Sequence, residues 1–159
     1  MNHIDLLIDL HLHNPRQGPG DDAHTALALR LTGIDPAAPL RVADIGCGTG
    51  AATLALARLL PQAQITAVDF LPPFLAMLNE HAQAAGVADR ITTLEASMDA
   101  LPFADGAFDL LWSEGAIYNM GFENGVRSWR RYLTPGGVLV ASELTWSTHT
   151  RPPELQAHW

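Results

Sequence analysis

The chain has 159 residues, 48% hydrophobic and 16% charged, which are the proportions of one folded domain and exclude a disordered or fibrous chain. With 9 Lys+Arg against 17 Asp+Glu the formal charge is -8, a balance that repels nucleic-acid backbones and anionic membrane and argues against both as partners. A single cysteine, Cys47, excludes an internal disulfide and a multi-cysteine zinc site and fits a reducing, cytoplasmic compartment.

Met1 to Leu10 contain Asp5 and Asp9 and no basic n-region, so they do not read as a signal peptide. Ile4 to His13 is rich in apolar residues and gives way to Asn14-Pro15-Arg16-Gln17-Gly18-Pro19-Gly20, which cannot continue a helix. Asp21 and Asp22 offer a cap for a helix over Ala23–Leu31, ended near Gly33. Residues 1–34 therefore read as an N-terminal helical arm, and residues 35–159 as a core that follows the polar connection from Asp35 to Pro39.

From Arg41 strands and helices alternate. Strands are expected over Arg41–Ile45, Ile65–Val68, Arg90–Leu94, Phe108–Trp112 and Val138–Ser142, and helices over Ala51–Leu60, Pro72 to about Ala85, and Phe122–Leu133. This order predicts an α/β fold, an open parallel sheet with helices on both faces joined by right-handed crossovers. After the fifth strand come Thr145–Arg151 and the start of a helix over Pro153–Trp159. A fifth strand at the sheet edge would leave its outer backbone unpaired, so the expectation is a fragment or an edge covered by a partner, a second copy included.

The sharpest feature is Asp44-Ile45-Gly46-Cys47-Gly48-Thr49-Gly50 between a strand and a helix. Glycines there permit positive φ and close approach of the backbone to a ligand, and the helix start adds free N–H groups. Asp69 ends the second strand, where a carboxylate accepts hydrogen bonds from a ribose diol. A nucleoside-containing cofactor is implied. Gly46, Gly48 and Ala51 satisfy a loose dinucleotide fingerprint, which keeps an NAD-type oxidoreductase as one alternative. Gly50 and Asp44 argue against it, because a carboxylate before the loop repels a pyrophosphate and suits an ammonium and a sulfonium.

On these residues the sequence resembles the class I S-adenosylmethionine-dependent methyltransferases. The resemblance runs from the glycine motif through Ala67-Val68-Asp69, Ala96-Ser97-Met98-Asp99-Ala100-Leu101-Pro102-Phe103, and Phe108-Asp109-Leu110-Leu111-Trp112 to Leu133-Thr134-Pro135-Gly136-Gly137. It implies a Rossmann-like sheet of seven strands in the order 3-2-1-4-5-7-6, of which five are visible, so the core is expected to be truncated at its C-terminus. It also implies S-adenosylmethionine as cofactor and a small-molecule methyl acceptor. A non-catalytic or incomplete cofactor-binding module is the second alternative.

The resemblance assigns Gly46, Gly48 and Gly50 to the backbone cradle of the cofactor, Asp44 to its methionyl end, Asp69 to its ribose and Phe70 to its adenine. Ser97 stands where many relatives have an Asp for the adenine amine, with Met98 beside it as apolar packing. The arm would cover this site and carry Arg16 to the cofactor carboxylate or to an acidic substrate.

Ligands of open α/β sheets bind beyond the carboxyl ends of the strands, which turns attention to the residues after the fourth strand. Glu114 reads as a base or as a group orienting the cofactor ammonium, against a plain helix cap. Tyr118 and Asn119 read as substrate-positioning residues, against plain packing. Glu143 is a weaker candidate at the end of the fifth strand. His11 and His13 share a face of a strand but not of a helix, so no metal site is expected. Cys47 reads as packing under the loop, Trp129 as core, and Arg130 and Arg131 as a solvated face.

Overall fold

The computed structural model describes residues 3–146, together with 152 and 154. Two helices open the chain, α1 (His3–His11) and α2 (Asp22–Leu31). There follow β1 (Arg41–Ile45), α3 (Ala51–Leu59), β2 (Gln64–Asp69), α4 (Pro72–Ala84), β3 (Ile91–Glu95), β4 (Phe108–Glu114), α5 (Phe122–Trp129) and β5 (Leu133–Ser142). The five strands form one sheet in the order β3-β2-β1-β4-β5, parallel throughout. The segment 145–151 and the helix expected over Pro153–Trp159 fall largely outside the described residues.

Strand alternation divides the core in two. Val42, Ile65, Leu110 and Trp112 face Leu29, Leu56, Leu60 and Leu78 of the helices on one side. Ala43, Ile45, Val68 and Leu111 face Leu101, Ile117 and Trp129 on the other. Residues flanking on the same strand thus serve opposite layers, as a parallel sheet covered on both faces requires. Polar groups finish the elements. The Arg90 guanidinium donates to the carbonyl of Ala57 (2.8 Å) in the last turn of α3 and to those of Leu60 (3.1 Å) and Ala63 (3.4 Å) in the turn beyond it. Asp21 caps α2 by accepting from the His24 N–H at 2.9 Å.

Three boundaries differ from the sequence reading by more than one residue. The helix expected to reach Leu133 ends at Trp129 and tightens into a 3-10 turn, Arg130–Tyr132, while the Trp129 indole donates to the Met98 carbonyl at 2.9 Å. Strand β5 begins at Leu133, not Val138, because Leu133 pairs with Phe108 before Thr134–Gly137 bulge out and pairing resumes at Leu110 with Val138. Strand β4 continues two residues past Trp112, which makes Glu114 its last residue.

The arm is attached differently from the rest. Leu6 and Leu10 of α1 are 54% and 68% exposed, so this helix adds little to the core. What holds it is polar, and those contacts lie at the site.

Candidate cofactor and active site

A cavity of about 450 Å³ opens at the carboxyl ends of β1, β2 and β4, a size suited to a small organic ligand. Its floor includes Gly46, Cys47 and Gly48 of the loop 46–50. The N–H groups of Gly46 and Cys47 both donate to the Val68 carbonyl, at 2.8 and 2.9 Å, which ties the loop to the end of β2. Gly46 (φ 76°), Gly48 (φ 54°) and Gly50 (φ 94°) all have left-handed backbone. A Cβ on Gly46 would collide with Ala116, one on Gly48 with the Gln17 side chain, and one on Gly50 with Leu78. Gly46 and Gly48 line the cavity, but Gly50 does not. Its glycine is needed for the approach of α4 to the start of α3, a packing role the sequence reading did not assign.

Asp69 spans the loop and the next helix, accepting from the Gly48 N–H and the Leu71 N–H at 2.9 Å each. Burial raises its carboxyl above the ordinary range, and those backbone donors partly offset the rise. Two carboxylate oxygens retain lone pairs for a further donor. Asp44 is fully buried at the base of the cavity, where Thr53 donates to its Oδ2 at 2.5 Å and Oδ1 has no partner. Desolvation pushes its carboxyl up to about 7, with the negative charges of Glu114 and Asp69 adding to the rise. Burial likewise raises the Cys47 thiol, which stays protonated and packs under the loop.

The arm forms the roof. Gln17 accepts from the Thr49 N–H at 3.1 Å and donates to the His11 carbonyl at 3.3 Å. Arg16 donates to Glu114 at 2.8 Å and to Asp22 at 2.9 Å, and Asp22 also pairs with Arg58 of α3 at 2.8 Å. Glu114 additionally accepts from Thr25 (2.7 Å) and from the Trp112 indole (2.9 Å). Its two oxygens are thus held by three donors, and it lies at the hub between arm, α2 and β4.

Phe70 is 62% exposed at the cavity rim. Ser97 and Met98 also line it, and Ser97 donates to Asp99 at 2.5 Å. Asp99, not singled out in the sequence, therefore brings a carboxylate to the place where Ser97 was expected to act alone; its only signal was an acidic residue two positions on. Tyr118, 57% exposed, and Asn119 line the opposite rim, and the Asn119 side-chain amide donates to the Ala116 carbonyl at 3.0 Å. Glu143 borders a second hollow beside β5, apart from the loop 46–50. Among the described residues no group of three or more His, Cys, Asp or Glu could hold a metal ion, and His11 closes α1 while His13 lies beyond it.

The residues present fit an amino-acid-bearing nucleoside. The unpartnered Asp44 oxygen suits an ammonium group, Asp69 a ribose diol, and the glycine cradle leaves no Cβ in the way.

Comparison with known proteins agrees. Residues 42–137 match the family model described as a methyltransferase domain. The chain is 40% identical over 107 residues to a demethylmenaquinone methyltransferase of Thermus thermophilus, covering 67% of this chain and 48% of that protein. It is 31% identical over 148 residues to the 27-O-demethylrifamycin SV methyltransferase of Amycolatopsis mediterranei, covering 87% and 54%. A solved S-adenosylmethionine-dependent methyltransferase from Geobacter sulfurreducens, in complex with S-adenosylhomocysteine, superposes with a TM-score of 0.72 at 26% identity, covering 91% of this chain and 55% of the other. The chain spans about half the length of the curated relatives it matches.

Proposed function

This chain belongs to the class I S-adenosylmethionine-dependent methyltransferases, and we propose that it carries their methyl transfer to a small-molecule acceptor. The observation that carries the reading is the juxtaposition of Asp44, Asp69 and the glycine loop beneath one cavity roofed by the arm. When bound, the cofactor supplies an electrophilic methyl group on a sulfonium, whose bonding electrons return to sulfur as the acceptor takes the methyl.

The protein's share is orientation. Holding two reactants in line is worth roughly 7–11 kcal/mol of a barrier, which a rigid cradle can supply without covalent chemistry. In this reading Gly46 and Gly48 let the backbone lie against the cofactor, Asp69 takes the ribose hydroxyls, and Asp44 faces the ammonium. Phe70 and Met98 flank the adenine, and Ser97 with Asp99 receives its amine. Tyr118 and Asn119 stand at the mouth and position the acceptor. Glu114 serves best as an anchor for Arg16, since its oxygens already have three donors. Residues 1–34 act as a cover over residues 35–159, excluding water from the site.

The relatives support an organic acceptor: one is named for demethylmenaquinone and one for a demethylrifamycin. Both come from bacteria, and we place this chain in a bacterial cytoplasm. No described helix is long and apolar enough to cross a membrane. The outer edge of β5 is where a second copy would pair, which a solution mass would reveal. The methyl-transfer reading is tested by incubating the chain with S-adenosylmethionine and panels of phenols, carboxylic acids and amines. Acceptor-dependent formation of S-adenosylhomocysteine is expected. Cofactor binding without turnover on any panel would favour a non-catalytic module.

A further inference from the structure

Two buried side-chain atoms among the described residues have no hydrogen-bond partner: Asp44 Oδ1 and His11 Nδ1. Both residues line the same cavity, one from its floor and one from its roof. A buried polar atom left unpaired is destabilising, so two in one place mark where a ligand supplies the missing partners. One atom is a carboxylate oxygen, which needs a donor. The other is an imidazole nitrogen, which donates when it carries the ring proton. A ligand offering an ammonium to the first and a carboxylate to the second is an α-amino acid.

We infer that His11 binds the carboxylate of the cofactor's methionine moiety, opposite Asp44 on its ammonium, so that floor and arm together read the zwitterion. The inference rests on the cofactor reading above.

The arginine at the cavity does not take this role. Among the described residues Arg16 is the single arginine lining it, and its guanidinium is already committed to Glu114 and Asp22. The Thr49 N–H at the start of α3 is likewise occupied by Gln17. His11 is held in place by its position in the last turn of α1 and by the bond from Gln17 to its carbonyl, which leaves the ring for the ligand. The assignment also gives the arm a reason to close: the ligand completes a contact that the arm alone leaves open.

Calorimetric titration separates this from a structural role. The probes are S-adenosylhomocysteine and its decarboxylated analogue, which keeps the ammonium and lacks the carboxylate. The proteins are the wild type, His11→Ala and His11→Asn. Loss of a charge-assisted hydrogen bond is expected to weaken S-adenosylhomocysteine roughly tenfold to a hundredfold in His11→Ala. The decarboxylated analogue should bind wild type and His11→Ala alike, and His11→Asn, which keeps a donor, should recover part of the loss. Equal S-adenosylhomocysteine affinity in wild type and His11→Ala would overturn the proposal. So would an equal loss for both probes, which would mark His11 as merely structural. If the wild type binds neither probe, the cofactor reading itself fails and this inference with it.

Discussion

Arg16 and Glu114 lie 98 positions apart in the chain and 2.8 Å apart in the fold. Each side chain is 15% exposed, which puts this pair among groups whose partners matter, unlike the open pair of Arg131 with Asp105. It joins the arm to the end of β4, and both residues line the cavity together with Gly46 and Gly48. Since α1 buries little apolar surface, residues 12–20 are tied down by this pair and by the bond from Thr49 to Gln17, whereas α2 also packs Leu29 into the core.

Glu114→Gln keeps an acceptor for Thr25 and Trp112 but loses the charge opposite Arg16. The arm should open more often while the sheet remains intact. Amide hydrogen exchange over residues 12–20 is expected to quicken severalfold, with exchange in β1 and β4 unchanged. A variant whose arm exchanges at the wild-type rate would show that the ion pair does not hold the cover.

Alanine at two glycines of the loop separates fold from site. Gly50→Ala meets both a left-handed backbone and the Leu78 side chain that packs α4, and should cost several kcal/mol of stability. Gly48→Ala meets the flexible end of Gln17, so its stability cost should be smaller and its main effect should be displacement of the arm. Thermal denaturation of both variants, with hydrogen exchange on the arm, checks the order. An equal loss of stability would contradict it.

Much of this was legible in the sequence, and the reason is periodicity. Strands buried on both faces read as short apolar runs, and Arg41–Ile45 is found where it was expected. The bulge of Thr134–Gly137 was not legible, because Pro135 and the glycines look like a turn and the earlier pairing of Leu133 with Phe108 is decided by the neighbouring strand. The cavity lining was legible where it is local, at Asp44, Gly46, Gly48 and Asp69, all of which face the same hollow. It was not where distant segments meet. Glu114 read as a base or an ammonium-orienting group, and only the fold shows α2 and the arm bringing Thr25 and Arg16 to it. His11 was read beside His13 as one of a pair, whereas the helix ends at His11 and aims it at the cavity alone.

Asp44 gives the protein a pH dependence. Its carboxyl titrates at 3.8 in an ordinary setting and at about 7 when buried here. Between those values the folded state holds a proton that the unfolded state has released, so stability falls as pH rises through that window and levels off above about 7. Asp44→Asn should remove that part of the slope. Ligand binding runs the other way: an ammonium favours the ionised carboxylate, so affinity for S-adenosylhomocysteine should rise from pH 6 to pH 8, values chosen to bracket the titration. Titrations at both pH values check this, and an Asp44→Asn variant with the wild-type pH profile would remove Asp44 from the account.

The most direct test of the central claim is calorimetric titration of the chain with S-adenosylhomocysteine, with NAD+ as control, repeated on Asp69→Ala. Asp69 is expected to hold the ribose while bracing the Gly48 and Leu71 amides. The account predicts micromolar binding of S-adenosylhomocysteine, weakened roughly tenfold or more in Asp69→Ala, and no binding of NAD+. Binding of NAD+ alone, or S-adenosylhomocysteine binding indifferent to Asp69, would contradict it.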